Sequence, residues 1–301
     1  MSVMSPQLRR PAAVAALALV ATLAIPTAAQ ASAPVHHAAA SHTSTAAHHH
    51  APFAVRTTTV PRTAALGFGG GVIYTPQDTG KPVLGAVVIT PGFTDTNANE
   101  KEMAELVASQ GFVAFAIDTL TTDDLPDLRA TQILAAADYL TDKSAVKSQV
   151  SKDDLGVIGY SFGGGGSMQA AQSRPSLKAV IGLMPFDFPP ATDPNAMYPS
   201  YPNMKTPTLV ITGQKDEVAD PADFGKPAYD SIPASTPKQY LELTGVGHEG
   251  GQHVPSATMR NAVTAFLKRY LDGNSAYSKF ICPAPKVAGP ISASLSSCPK
   301  G

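Results

Sequence analysis

An apolar run, Leu155-Gly156-Val157-Ile158, passes straight into Gly159-Tyr160-Ser161-Phe162-Gly163 and on into Gly164-Gly165-Gly166-Ser167-Met168-Gln169-Ala170-Ala171. A buried strand, a G-x-S-x-G turn and a helix in that order constrain this chain more than any other feature. The pattern sets a serine on a cramped strand-to-helix turn, the geometry of a nucleophile elbow. A side chain on either flank of the serine would collide with neighbouring backbone, so the flanks are glycine. Ser161 is the candidate nucleophile.

Nucleophile, acid and base follow in the chain order of an α/β-hydrolase sheet: Ser, then Asp or Glu, then His. After Ser161, Thr206-Pro207-Thr208-Leu209-Val210-Ile211-Thr212-Gly213 reads as a buried strand, and Asp216 lies just past its end. Lys238-Gln239-Tyr240-Leu241-Glu242-Leu243 reads as a further strand, and His248 follows it in a glycine-flanked loop. Both residues therefore fall at carboxyl ends of strands, where open α/β sheets place their sites. Six of the eight histidines lie between His36 and His50, so His248 and His253 are the two candidate bases of the globular part. His248 is favoured by its tight loop directly after a strand. Asp216 competes with Glu217, Asp220 and Asp223, which are expected to cap the next helix or face water. Asp118 also ends a strand but precedes the serine, which is the wrong order.

Residues 1–31 have the layout of a secretion signal. Arg9 and Arg10 supply the charge, Ala12 to Ile25 the apolar core, and Ala29-Gln30-Ala31 the cleavage site. The apolar run is too short and alanine-rich for a membrane span, so an exported protein without a membrane anchor is expected. Residues 32–52 are Ala, His, Ser and Thr with almost nothing to bury, the composition of a disordered linker. The remaining stretch, 53–301, is a normal length for one α/β catalytic domain. The formal net charge of −1 and the lack of Lys/Arg clusters give no footprint for nucleic acid. Cys282 and Cys298 are the two cysteines, and in an exported protein they should pair. No metal site or cofactor is expected, and a monomer is.

Short apolar runs alternate with helical patterns along the whole domain. Strands are expected over Val72–Thr75, Gly85–Thr90, Phe112–Asp118, Asp154–Tyr160, Ala179–Met184, Thr208–Thr212 and Lys238–Leu243. Helices are expected over Glu100–Gln110, Pro126–Thr141, Phe162–Ser173, Pro221–Ser231 and Ser256–Asp272. This alternation implies a mostly parallel central sheet with helices on both faces and no lid domain. Gly67-Phe68-Gly69-Gly70-Gly71 leads into a strand and not a helix, so it offers no helix N-terminus to a phosphate; it reads as a turn between edge strands. Pro91-Gly92-Phe93-Thr94 ends the strand Ala86-Val87-Val88-Ile89. The loop after that strand supplies one oxyanion-hole N–H in such folds, and the residue after the nucleophile supplies the other. The candidate donors are thus the backbone amides of Phe93 and Phe162.

These motifs together resemble the bacterial cutinase and polyester hydrolase family, close to the enzymes that degrade polyethylene terephthalate. The resemblance runs from about Val60 to Pro299. It is carried by the glycine-rich 67–71 and 159–166 segments, Pro91-Gly92-Phe93-Thr94, Ser173-Arg174-Pro175-Ser176-Leu177-Lys178-Ala179, Tyr240-Leu241-Glu242-Leu243, Leu267-Lys268-Arg269-Tyr270 and Phe280-Ile281-Cys282-Pro283. It implies an extracellular serine esterase with a shallow, lidless cleft. It also implies the triad Ser161, Asp216 and His248, and a C-terminal disulfide Cys282–Cys298. Four departures bear on substrate. Phe162 stands where the family has Met, and Phe186 where it has the Trp that flanks the scissile ester; the chain has no tryptophan. Glu249 replaces an aromatic residue after the histidine, and Asp187 to Pro202 is a longer connection, rich in Pro and Tyr.

The expected chemistry is hydrolysis of an ester or polyester through an acyl-enzyme, with Phe93 and Phe186 as aromatic walls for the acyl part. A lipase or a short-chain carboxylesterase without polymer activity uses the same triad. A serine amidase or peptidase does so too, because the triad does not choose ester over amide. A non-catalytic secreted binding protein would be expected to have lost one of the three residues, and none is missing.

Overall fold

The computed structural model describes residues 52–193, 195–251 and 255–297. The expected signal, nearly all of the linker, His253 and Cys298 lie outside the described residues. Strand and helix alternate as β1 (Val55–Val60), β2 (Gly70–Pro76), β3 (Leu84–Thr90), α1 (Lys101–Ser109), β4 (Val113–Asp118) and α2 (Pro126–Asp142). The chain continues through β5 (Val150–Tyr160), α3 (Phe162–Ser173), β6 (Ala179–Leu183), β7 (Thr208–Gly213), α4 (Gly225–Ser231), β8 (Lys238–Leu243), α5 (Ala257–Tyr270) and β9 (Ile291–Ser297).

These strands form one sheet in the order β1-β2-β4-β3-β5-β6-β7-β8-β9. The six from β4 to β8 in that order are mutually parallel, and β1, β2 and β9 pair antiparallel at the two sides. The inner strands are apolar on both faces because both faces are covered. Along β4, Val113, Phe115 and Ile117 join a core with Phe68 and with Ile133, Leu140 and Met168 of α2 and α3. Ala114 and Ala116 of the same strand join the opposite core, with Met103 and Val107 of α1 and Val263 and Phe266 of α5. This is the α/β-hydrolase fold.

Pro126 opens α2 at a position where a missing N–H costs nothing. The Ser256 hydroxyl caps α5 by accepting from the Met259 N–H at 3.2 Å. No helix or strand interrupts the described residues of 184–207 between β6 and β7.

Three expectations need correction. The glycine-rich 67–71 segment is not a turn between edge strands: Gly70 and Gly71 already belong to β2, which is flanked by both β1 and β4. Two edge strands, β1 and β9, are missing from the sequence reading. Finally, α4 begins at Gly225, with turns replacing helix over 221–224.

Candidate active site

β5 ends directly in α3, and Ser161 sits between them at φ 52° and ψ −119°. Such a backbone costs a non-glycine residue about 1–3 kcal/mol and persists only where its surroundings over-determine it. Here they do. The Ser161 N–H donates to the Leu183 carbonyl at 3.0 Å, and its own carbonyl accepts from Phe186 N–H at 3.0 Å and Gly165 N–H at 3.1 Å. The flanking glycines have steric causes. A Cβ on Gly159 would lie 2.0 Å from the Gly163 carbonyl oxygen, and one on Gly163 would lie 2.3 Å from that of Thr90. The elbow is therefore wedged between its own helix and the end of β3.

Asp216 follows β7 and is buried, whereas Glu217, Asp220 and Asp223 are exposed. Its Oδ1 accepts from the Val218 and Ala219 amides at 3.0 and 2.7 Å. That leaves Oδ2 for His248, whose Nδ1 lies 2.8 Å away. His248 opens the 3₁₀ turn His248–Gly251 after β8, and its Nε2 lies 3.0 Å from Ser161 Oγ. A carboxylate at Nδ1 assigns the proton to that nitrogen and leaves the Nε2 lone pair facing the hydroxyl. Tyr160 steadies His248: its hydroxyl donates to the His248 carbonyl at 3.3 Å, and the two rings lie 5.1 Å apart. Burial pushes the Tyr160 phenol up, so it remains a donor. Asp118 is engaged elsewhere, accepting from the Asn97 amide and side chain at 2.8 and 2.7 Å.

Phe93 lies in the loop after β3, and Phe162 is the first residue of α3, so its N–H has no intrahelical acceptor. Their rings meet at 5.3 Å. Phe162 also packs against Phe186 at 5.1 Å and Phe188 at 6.0 Å, and Phe186 stacks on Phe224 at 4.2 Å. Phe93 and Phe188 are each about half exposed. Phe93 and Phe186 thus belong to a five-ring cluster with Phe162, Phe188 and Phe224. Sequence reasoning missed Phe188, Phe224 and Tyr160. Phe188 sits in a stretch noted for Pro and Tyr, Phe224 in a segment assigned to helix, and neither has a pattern that marks it.

The long connection is fastened by Asp187, which is buried at 5 % exposure. It accepts from the Tyr201 hydroxyl at 2.6 Å, the Phe188 amide at 2.8 Å, and Gln169 Nε2 at 2.8 and 3.0 Å. Burial raises its pKa against the lowering effect of those bonds. The connection lines a cavity with Leu125, Gln169 and Gln172, a set that includes neither Ser161 nor His248. Among the described residues, no group of three or more His, Cys, Asp or Glu side chains is placed to hold a metal ion.

A protein-family model described as PETase, PET hydrolase-like, matches residues 29–299. The chain belongs to that family. Among curated relatives, a bis(hydroxyethyl) terephthalate hydrolase of Streptomyces coelicolor is 40% identical over 290 residues, covering 96% of this chain and 90% of the relative. Cutinase 1 of Thermobifida cellulosilytica is 38% identical over 252 residues, covering 82% of this chain and 92% of the relative. Cutinase est2 of Thermobifida alba is 40% identical over 252 residues, covering 82% and 80%. This PET hydrolase-like protein is a carboxylic ester hydrolase. No helix among its described residues is long and apolar enough to cross a membrane.

Proposed function

We propose that this PET hydrolase-like enzyme cleaves carboxylic esters of the cutinase and polyester type through an acyl-enzyme on Ser161. The observation that carries the reading is the unbroken relay from Asp216 Oδ2 through His248 to Ser161 Oγ, with contacts of 2.8 and 3.0 Å. His248 takes the serine proton as the hydroxyl attacks, and Asp216 holds the imidazole tautomer and stabilises the imidazolium. The Phe93 and Phe162 amides receive the oxyanion; one such donor is worth ~3–4 kcal/mol of barrier. His248 then protonates the leaving alcohol, and water attacks the acyl-enzyme by the same route in reverse. Phe93 and Phe186, with Phe162 and Phe188, form the wall for the acyl group, which suits the aromatic or aliphatic diacid of a polyester.

An organophosphate that mimics the tetrahedral intermediate tests the nucleophile. Peptide mapping should place one adduct on Ser161 of the wild type and none on His248→Ala. An adduct on another serine contradicts the reading.

The same proposal includes export on the 1–31 signal, the 32–52 linker, and a monomeric catalytic domain over 53–301. It also includes a Cys282–Cys298 bridge. The bridge would close a loop of fifteen intervening residues that contains β9, a constraint worth roughly 3 kcal/mol in the chain-entropy account. Alkylation without reductant should then leave both thiols unlabelled, and labelling of either one contradicts the bridge.

A further inference from the structure

We propose that Arg129 is a positioning residue for the oxyanion hole, fixing the main chain on both sides of the Phe93 amide. The inference rests on the reading of that amide as an oxyanion donor.

Arg129 lies in the first turn of α2 and is fully buried. Burying a guanidinium costs several kcal/mol unless its donors are satisfied. All three of its hydrogen bonds go to main-chain carbonyls of two loops at the rim of the sheet. Nε donates to Asp124 O at 2.7 Å, Nη1 to Pro91 O at 2.9 Å and Nη2 to Thr122 O at 2.7 Å. Burial lowers its pKa to about 10 against the raising effect of the Asp124, Asp95 and Asp123 charges, and it stays a cation in the working range of an esterase.

Two of these bonds bracket one residue. On the N-terminal side of Phe93, Nη1 holds the Pro91 carbonyl. On the C-terminal side, the Thr94 N–H donates at 2.8 Å to the same Thr122 carbonyl that Nη2 holds. Between these pins the chain adopts a conformation it would not choose, since Thr94 is a β-branched residue at φ 67°. Arg129 and the Thr122 carbonyl over-determine that turn, and so fix where the Phe93 N–H points.

The second donor is built into the same junction. A Cβ on Gly163 would come within 2.5 Å of the Pro91 oxygen, so the first turn of α3 rests on the carbonyl that Arg129 holds. One turn on, a Cβ on Gly166 would lie 2.9 Å from Arg129 Cβ. Arg129 therefore meets the Phe93 loop through its guanidinium and, through its Cβ, the helix whose first amide is Phe162. A planar fork makes the loop contacts as a lysine cannot, because one ammonium has no rigid geometry matched to three separated carbonyls.

The test uses Arg129→Lys and Arg129→Gln, with active sites titrated by an organophosphate so that rates are counted per competent site. We expect kcat on p-nitrophenyl butyrate to fall about 10–100-fold in both, less than for deletion of a donor, with KM within about twofold. The inhibition constant of a trifluoromethyl ketone, which forms the tetrahedral adduct, should rise by the same factor as kcat/KM falls. A purely structural arginine would lower the number of titratable sites and the Tm while leaving both per-site quantities near wild type, and that result overturns the proposal. A wild type that folds but turns over no ester removes the enzymatic reading, and the proposal with it.

Discussion

Ser161 carries a backbone angle that its own side chain disfavours, and three main-chain bonds to β6, α3 and the Phe186 loop hold it there. The hydroxyl is consequently placed by the fold and not by a choice of rotamer alone. Its partners were legible in the sequence because each follows a strand end in the required order. Arg129, Tyr160, Phe188 and Phe224 were not, because their contacts arise only when distant segments meet; Arg129 and the Pro91 carbonyl it holds are 38 positions apart. The role assigned to Asp216 has a clean probe in Asp216→Asn. The amide oxygen can still accept from Val218 and Ala219, so the loop should keep its shape. His248 loses the acceptor that fixes its tautomer. We expect kcat to fall about 10³–10⁴-fold with little change in Tm. Steady-state kinetics beside a thermal melt check this, and a loss below tenfold contradicts the assignment.

At the scale of elements, interior strands were readable and edge strands were not. β3, β4, β6 and β7 are apolar on both faces, so a short run of Val, Ile, Leu and Ala identifies them. β1 reads Val-Arg-Thr-Thr-Thr-Val and β9 reads Ile-Ser-Ala-Ser-Leu-Ser-Ser, each with one neighbouring strand and a partly exposed surface. Polar residues there cost nothing, and the hydrophobic signal disappears. The proposed substrate wall is likewise a meeting of elements. Phe186 comes from the connection after β6, and Phe224, which stacks on it, from the turn before α4. The contact should hold the Phe186 ring in one orientation beside the serine. Phe186→Ala should therefore lower kcat/KM on bis(hydroxyethyl) terephthalate by roughly tenfold, the worth of an aromatic contact of about 1–1.5 kcal/mol. On p-nitrophenyl acetate, whose acyl group is too small to reach the wall, the change should stay within twofold. Equal losses on both esters would show a general disturbance of the site and contradict a wall specific to the acyl group.

For the whole molecule, two buried carboxyls each make a contribution to stability that depends on pH. Glu100, before α1, is 1 % exposed, and its Oε1 has no hydrogen-bond partner. Burial, and secondarily the Asp95 charge, pushes its carboxyl well above the usual range. Asp187 is raised too, again by burial. A folded state with a raised carboxyl pKa binds its proton more tightly than the unfolded chain does. Stability from these groups is thus full below about pH 4, the ordinary carboxylate range, and is lost as pH rises through the folded values. Glu100→Gln should accordingly melt above wild type at pH 8, and the gap should close toward pH 4. A gap that is constant across that range contradicts the account. The central claim, that this α/β-hydrolase sheet exists to present Ser161 to an ester carbonyl, is tested most directly by p-nitrophenyl butyrate hydrolysis. Purified wild type should turn the ester over, and Ser161→Ala, folded to the same Tm, should lose about 10⁵–10⁶-fold in kcat. Equal rates in the two proteins would contradict the claim.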